Sequence, residues 1–384
     1  MLADTHDVTE LLHPGRNAVG AVLGDGWFRG RLGWAPGRDR CRYGRELGLV
    51  LQLEADLPGG HRVVVVSDGS WRASTGEVRA ADVYDGSIVD LRQARPGWDG
   101  PGFDDSTWVP AAEVEIDPGL IEPRMAPSVR AIDVRGVNHE RLPDGRIRID
   151  TGQNQAGFLR LRVRGRRGDR VTVRHAEVLE TNGELHTRAL RSARATDEYI
   201  IAGEDEVVLE PPFTFHGFRH AEVATDARLL GADVVAISSN LPRRSTFSCS
   251  DDRLNRLHEN VVWSQRSNFV SIPTDCPQRD ERLGWTGDAQ AFAATASTLA
   301  QSDSFWQSWL RDLELDQDDE LGVPSVVPDV VLEGDARFGR AGWADAATIV
   351  PWAVYESYGD PTILQRQFGS MRRWDHQAVG PGRK

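Results

Sequence analysis

The period of the hydrophobic pattern changes near residue 245, and this change constrains the fold more than any other feature of the chain. Before it, short segments such as 146–150 and 157–163 alternate apolar and polar residues, which is typical of strands with one face in water. After it, a Ser-Asp-Asp cap at 250–252 precedes apolar residues at helical spacing. Three later segments also have helical spacing: 289–299, 305–315 and 346–358. We therefore predict a sheet-rich first two thirds and a helical last third.

The sheet-rich part is predicted to form two β-sandwich domains. Short strands separated by regular Gly and Asn-Gly turns favour sandwiches over a parallel sheet, and residues 17–28 predict a buried strand that runs into a turn. A loop rich in Pro, Gly and Asp over 95–107 closes the first sandwich at about residue 120. We predict β-domains at 1–120 and 121–244, followed by a helical domain at 245–384.

The charge balance disfavours several classes of partner. The 384 residues carry 45 Lys and Arg against 58 Asp and Glu, a net charge of −13, whereas a phosphate-binding surface needs clustered cations. No apolar run approaches the roughly 20 residues that span a bilayer, and the start lacks the basic and apolar segments of a signal peptide. We therefore expect a cytoplasmic chain without a nucleic-acid or membrane partner.

The sequence predicts neither a metal nor a cofactor. The three cysteines lie far apart, and no spacing typical of a zinc site is present. Asp82, Asp85 and Asp90 could hold calcium, although a solvated loop is the favoured interpretation. The 12 tryptophans raise a carbohydrate hypothesis, because flat indole rings pack well against the C–H faces of sugars.

The densest group of polar and aromatic residues lies between 275 and 288. The pattern predicts a helix from about Asp280, on which Glu281, Trp285 and Asp288 would share one face. Carboxyls beside an indole suit glycoside hydrolysis, because a like charge or an apolar wall keeps one carboxyl protonated for transfer to the departing oxygen. The alternative is an ordinary helix N-terminus with acidic residues in its first turn.

The same segment resembles the signature of the bacterial α-L-rhamnosidases of glycoside hydrolase family 78. Residues 275–288 match every fixed position of D-C-P-Q-R-x-E-R-x-G-W-x-G-D. Three other segments resemble stretches of the family in the family's own order: 17–30, 152–157 and 343–360. The resemblance therefore runs along nearly the whole chain.

This resemblance implies two β-sandwich domains followed by an (α/α)6 barrel, and hydrolysis of terminal α-L-rhamnosyl residues with inversion. The implied substrates are rhamnose-containing glycosides or polysaccharides. Carried over position by position, Glu281 is the general acid. The residues implied to bind the sugar are Asp275, Arg279, Trp285 and Asp288, with Trp343 and Asp345 as further members of the site.

An inverting reaction also needs a base, a second carboxylate about 6.5–9.5 Å from the acid. In the family this base comes from a later barrel helix, and only about five helices are predicted after residue 245. We therefore expect an incomplete barrel and little turnover by residues 1–384 alone. The bases available within the chain are Glu320, Glu333 and Glu356, each of which could equally be a surface acid. Two other functions stay open: carbohydrate binding without cleavage, and inverting hydrolysis of a different sugar.

Overall fold

A computed structural model describes residues 1–34, 40–330 and 332–379 of the chain. Within these residues, ten strands of the first two thirds form one sheet: β1 Val78–Asp82, β2 Gly86–Asp90, β3 Val129–Gly136, β4 His139–Arg141, β5 Ile147–Arg164, β6 Arg170–Ala176, β7 Thr196–Ile200, β8 Glu206–Leu209, β9 His216–Thr225 and β10 Arg228–Ser239. The main path runs in the order β1-β2-β7-β6-β9-β5-β10-β3, and β4 and β8 also pair with β5.

The 18-residue strand β5 organises this sheet. Its first part pairs with β4 and β9, and its second part pairs with β8 and β10. The register shifts between Asp150 and Gln155, where Gly152 adopts a φ of 74° that L side chains rarely take. Both parts contribute buried side chains, including Ile149 and Leu161, to one hydrophobic cluster. The two halves of the strand therefore cover the same core.

The strand predicted over residues 17–28 is wrong. Residues 17–25 have no regular secondary structure and are mostly exposed, and a one-turn helix follows at Gly26–Arg29. The apolar run lacks strict alternation, and a short apolar run does not identify a strand by itself. Other strands described in this region form small antiparallel or parallel pairs: Leu2–Ala3 with Glu122–Pro123, Gln52–Asp56 with Arg62–Val66, and Arg72–Ala73 with Val109–Pro110.

The described residues of the last third contain five helices: α1 Asp252–Asn268, α2 Thr286–Leu299, α3 Asp303–Asp316, α4 Ala346–Tyr358 and α5 Thr362–Val379. The predicted cap is present, since Asp251 accepts a 2.9 Å hydrogen bond from the backbone N–H of Arg253. Helix α4 packs against α2, α3 and α5, and the buried Trp306 and Trp309 of α3 lie in the core that they share. Helix α1 packs on β5 and β10 and so joins the helices to the sheet.

The predicted fold class is confirmed, with a sheet-rich region followed by a helical one. Strand β2 lies in the N-terminal third, yet it pairs in parallel with β7 through Ile88–Asp90, so one sheet continues across the boundary predicted at about residue 120. The domain limits themselves stay a prediction. Among the described residues, no helix is both long and apolar enough to cross a bilayer.

Candidate functional site

Residues 275–285, here called the signature loop, do not form the helix predicted to begin near residue 280. Helix α2 begins only at Thr286, and Gly284–Trp285 pairs instead with a short strand. Arg282 has a φ of 49°, a left-handed conformation that a right-handed helix cannot contain. The predicted shared helical face is therefore wrong, and contacts of the loop itself bring the side chains together.

The fully buried side chain of Arg282 anchors this loop. Its guanidinium donates to four backbone carbonyl oxygens at 2.7–3.1 Å, those of Val83, Phe215, Gln278 and Arg279. Burial lowers the pKa of Arg282 to about 10, which still leaves the side chain charged at neutral pH. Because an unpaired buried charge costs several kcal/mol, the bonds to Val83 and Phe215 hold the loop against the sheet-rich region, and those to Gln278 and Arg279 fix the loop's own backbone.

Two further contacts fix the loop on the sheet side. Tyr84 Oη donates to the backbone carbonyl of Glu281 at 2.7 Å and accepts from the backbone N–H of Gly33 at 3.0 Å. Burial raises the pKa of Tyr84, so its hydroxyl keeps the proton that it donates. Gly217 of β9 approaches so closely that an added Cβ would lie 2.7 Å from the carbonyl carbon of Pro277. The position of residue 281 is therefore set largely from outside the helical region.

The carboxyl of Glu281 is buried, and both of its oxygens are bound. Trp285 Nε1 donates to Oε1 at 2.7 Å, and Arg279 Nε donates to Oε2 at 2.7 Å. Arg191 Nη1 lies 3.1 Å from the same Oε2. The structure therefore brings the predicted acid into contact with two of its predicted neighbours, and with one arginine that was not predicted.

Asp275 shares the Arg279 guanidinium with Glu281. Arg279 Nη2 donates to Asp275 Oδ2 at 3.0 Å, so the planar fork bridges the two acids. Burial, reinforced by the Glu281 carboxylate, raises the pKa of Asp275 to about 6. Burial also raises the pKa of the Cys276 thiol to about 12. The thiol is therefore protonated at neutral pH, and we assign it to packing.

Asp288 lies in the first turn of α2 and is exposed. Partial desolvation raises its pKa, and the charge of Glu281 acts in the same direction, while Arg279 opposes both. The predicted residues 275, 279, 281, 285 and 288 thus share one electrostatic neighbourhood. Their individual roles in binding and catalysis stay predictions.

Trp343 and Asp345 differ in where the structure places them. The Trp343 ring packs over Gly287, where an added Cβ would lie 3.0 Å from Nε1, so this indole lies against the first turn of α2. Asp345 accepts a 3.1 Å hydrogen bond from Trp374 Nε1. Its carboxyl therefore has a structural contact within the helical region, and a sugar-binding role stays a prediction for both residues.

Two residues of the sheet-rich region reach the signature loop, and neither was predicted to belong to the site. Trp34 stacks on Trp285 with ring centroids 6.4 Å apart and planes inclined by 6°. Arg191, in the connection between β6 and β7, places its guanidinium carbon 5.8 Å from the centroid of the Trp34 ring. No motif or spacing ties either residue to residues 275–288, so only the three-dimensional fold reveals them.

The proposed bases within the chain lie on the surface. Glu320, Glu333 and Glu356 all have exposed side chains. The backbone N–H of Glu320 is held by Asp318 Oδ1 at 2.8 Å, and Glu356 lies near the end of α4. The general base therefore stays a prediction.

Two groups of described residues bring three potential metal ligands within 4.8 Å of one another: Asp275, Cys276 and Glu281, and His175, Asp197 and His216. In the first group the Arg279 guanidinium already bridges the two acids. In the second, the imidazole rings are stacked with centroids 4.1 Å apart. Ring nitrogens bind a metal in the plane of the ring, so stacked rings cannot both direct one at the same ion.

The aspartates considered for calcium are ion-paired instead. Arg31 Nη1 lies 2.9 Å from Asp85 Oδ1, and Arg40 Nη1 lies 3.2 Å from Asp82 Oδ2. Asp90 accepts from its neighbour Arg92 through both carboxylate oxygens. These carboxylates therefore have arginine partners in the fold.

Three family models match the chain in succession. The alpha-L-rhamnosidase N-terminal domain matches residues 1–133, and the bacterial alpha-L-rhamnosidase concanavalin-like domain matches 140–238. The bacterial alpha-L-rhamnosidase 6 hairpin glycosidase domain matches 242–380.

Curated relatives of the chain are named alpha-L-rhamnosidases. An alpha-L-rhamnosidase of Formosa agariphila is 37% identical over 98% of this chain and 41% of the relative. One of Streptomyces avermitilis is 39% identical over 96% of this chain and 36% of the relative. The chain therefore spans about two fifths of the length of these relatives.

Solved structures agree in fold. Native α-L-rhamnosidase from Aspergillus terreus superposes with a TM-score of 0.88 at 37% identity, over 94% of this chain and 42% of that chain. The Streptomyces avermitilis α-L-rhamnosidase complexed with L-rhamnose superposes with a TM-score of 0.85 at 39% identity, over 91% of this chain and 34% of that chain. With all three successive domains matched, the chain belongs to the bacterial α-L-rhamnosidase family.

Proposed function

We propose that this chain provides the acid side of an active site that hydrolyses terminal α-L-rhamnosides with inversion. Its substrates are rhamnose-containing glycosides or polysaccharides. The supporting observation is the buried carboxyl of Glu281, bound by the Trp285 indole and flanked by Asp275. A relative at 39% identity was crystallised with L-rhamnose, which supports the choice of sugar.

In the proposed reaction Glu281 transfers its proton to the glycosidic oxygen while the bond from that oxygen to the anomeric carbon breaks. Water attacks the opposite face of the sugar and gives a proton to a second carboxylate. Asp275, Arg279 and Asp288 hydrogen-bond the sugar hydroxyls. The face of Trp285 packs against the C–H groups of the ring.

Opposing charges act on the proposed acid. The guanidiniums of Arg279 and Arg191 lie at Oε2 of Glu281, and the carboxyls of Asp275 and Asp288 lie in the same neighbourhood. Oε1 accepts the indole N–H of Trp285. A carboxyl oxygen has two lone pairs, so Oε1 is the atom on which we place the transferred proton.

Binding and hydrolysis test the proposal separately. We expect L-rhamnose to change the tryptophan fluorescence of the chain, and Trp285→Phe to reduce that change. Asp275→Asn and Arg279→Gln should weaken rhamnose binding at least about tenfold, since each removes a charge-assisted hydrogen bond. Exposed Trp352→Phe is the matched control for the fluorescence signal.

Release of p-nitrophenol from p-nitrophenyl α-L-rhamnoside measures hydrolysis. Rhamnose binding without release, in a chain supplied with no further segment, would favour carbohydrate binding as the function. Equal affinity for L-rhamnose and an epimer would favour a hydrolase of another sugar. Absence of both binding and hydrolysis would contradict the proposal.

A further inference from the structure

Arg191 occupies a position that the surrounding structure has fixed firmly. Its backbone φ is 55°, a left-handed conformation that costs a non-glycine residue roughly 1 kcal/mol or more. The neighbours Leu190 and Ala193 are buried in one cluster with Tyr84. Ser192 donates from its backbone N–H to Asp280 Oδ2 at 3.2 Å. The connection between β6 and β7 is therefore anchored on both sides of Arg191.

This anchored connection delivers a cation to the proposed acid from another domain of the chain. Arg191 Nη1 lies 3.1 Å from Glu281 Oε2 and 3.8 Å from Asp280 Oδ1. The side chain of Arg191 is 47% exposed, whereas that of Glu281 is 6% exposed. The cation can therefore move into solvent while the carboxylate cannot follow it.

The two arginines on Glu281 differ in their freedom to leave. Arg279 belongs to the signature loop and also bonds Asp275, so it is held at two points. Arg191 also contacts the Trp34 ring, with its guanidinium carbon 5.8 Å from the ring centroid, but its side chain is 47% exposed, against 31% for Arg279. Arg191 is thus the partner of Glu281 that substrate can displace at the lower cost.

We propose that Arg191 is a positioning residue, whose guanidinium pairs with the Glu281 carboxylate and orients it until a bound glycoside displaces the guanidinium. The inference rests on the proposed function in one respect, that Glu281 is the proton donor. It assigns to the second β-domain a direct part in controlling the acid. Substrate entry and protonation of Glu281 are then coupled, because the guanidinium that leaves when substrate enters is a cation that disfavours a proton on the carboxyl.

Several charged or titratable groups surround Glu281, and the test must separate them. The groups are Arg279, Asp275, Cys276 and Asp280 of the signature loop, Asp288 of α2, and Arg191 of the connection between β6 and β7. The indole N–H of Trp285 donates directly to Glu281 Oε1. Its NMR signal therefore reports the charge of that carboxyl at close range.

The experiment is a pH titration of the chain labelled with ¹⁵N at its tryptophan indoles. Trp285→Phe identifies the signal, and Glu281→Gln should abolish the titration step that belongs to the acid. We expect Arg191→Gln to move the midpoint of that step upward by about one pH unit, because a nearby cation favours the ionised carboxyl. Arg191→Lys keeps the charge and should leave the midpoint within about 0.3 of a unit.

Two further variants test whether a shift in the midpoint is due to the charge of Arg191. Arg191→Gly removes the charge while suiting the positive φ, so it should reproduce the upward shift even if Arg191→Gln disturbs the fold. Arg194→Gln is the matched control, since Arg194 lies in the same connection but bonds Glu198. An unchanged midpoint in both neutral variants, or an equal shift in Arg194→Gln, would overturn the inference. The titration needs no substrate, so this failure is distinct from a failure to bind or cleave a rhamnoside.

Discussion

Tyr84 Oη donates a 2.7 Å hydrogen bond to the backbone carbonyl of Glu281, across 197 positions of sequence. Tyr84 is fully buried, so this bond is shielded from competing water. A residue of the N-terminal third thus fixes the backbone from which the proposed acid projects. Such support matters because proton transfer depends on donor and acceptor being held in a narrow range of geometries.

Tyr84→Phe should therefore weaken both the fold and the site. The substitution leaves the carbonyl of Glu281 and the N–H of Gly33 without their partner, which costs about 1–3 kcal/mol of unfolding free energy. Urea unfolding followed by circular dichroism measures this loss. Tyr199→Phe is the control, because Tyr199 is equally buried but lies in the sheet core. Equal losses in the two variants would show that the bond to Glu281 contributes nothing specific.

Arg282→Lys should be strongly destabilising although it keeps the charge. A lysine cannot reproduce the planar fork that reaches four carbonyl oxygens, so buried acceptors lose their donors at a cost of about 2–4 kcal/mol. Chemical unfolding measures the change. Arg253→Lys is the control, because the Arg253 side chain is 91% exposed. We expect its unfolding free energy to change by less than about 0.5 kcal/mol. A similarly small effect at position 282 would contradict the anchoring role.

Asp275→Asn should change how stability depends on pH. Burial and the Glu281 charge raise the pKa of Asp275 from 3.8 to about 6, so between these values the folded chain holds a proton that the unfolded chain releases. The stability due to this proton is complete below about pH 4 and is lost as pH rises through 6. Asparagine stays neutral, so the unfolding free energy of the variant relative to wild type should rise by about 2 kcal/mol from pH 4 to 7.

In the control variant Asp251→Asn, stability relative to wild type should depend on pH with the opposite sign. Hydrogen bonds from Arg253 lower the pKa of Asp251, so its contribution is present at neutral pH and is lost as pH falls. Asp251→Asn should therefore lose stability relative to wild type as pH rises. Unfolding free energies measured at several pH values from 3 to 7 distinguish the two slopes. A flat difference for Asp275→Asn would show that its carboxyl is not held protonated in the fold.

Glu281→Gln should reduce hydrolysis in a way that depends on the leaving group. The variant keeps the size of the side chain but has no proton to transfer, and general acid catalysis contributes about 10²–10⁴-fold. Steady-state rates on methyl and p-nitrophenyl α-L-rhamnosides, measured on a chain extended by the later barrel helix that carries the base, compare a poor leaving group with a good one. We expect the larger loss on the methyl glycoside, and little change in the exposed control Glu204→Gln. Equal losses of rate on both substrates would show that a residue other than Glu281 is the general acid.

The helical elements could be predicted because their patterns are local. The predicted segments 289–299, 305–315 and 346–358 coincide with α2, α3 and α4 to within a few residues, since each carries a periodic apolar face. The start of α2 could not be predicted, because the side chain of Arg282, whose backbone is left-handed, bonds carbonyls of residues 83 and 215, which are distant in sequence and lie just outside strands β1 and β9. Tertiary contacts there override the local preference for helix.

The candidate site was predictable only as far as it is contiguous in sequence. The contacts among Asp275, Arg279, Glu281 and Trp285 lie within eleven residues of one motif. Arg191 and Trp34 come from other parts of the chain, and an arginine or a tryptophan in a connecting segment has no pattern of its own. The prediction of a strand at 17–28 was wrong for the same reason. Whether an apolar run is buried depends on partner segments, and the run itself does not specify them.

The four acceptors of Arg282 have a consequence for sequence divergence. Every amino acid supplies a backbone carbonyl, so replacement of Val83 or Phe215 by other residues preserves the oxygen that the guanidinium needs. Insertion or deletion of a single residue beside either position would instead displace that oxygen. Homologous chains can therefore vary in residue identity at these junctions but not in loop length, and chimaeras that exchange one region for another will assemble only where that length is kept.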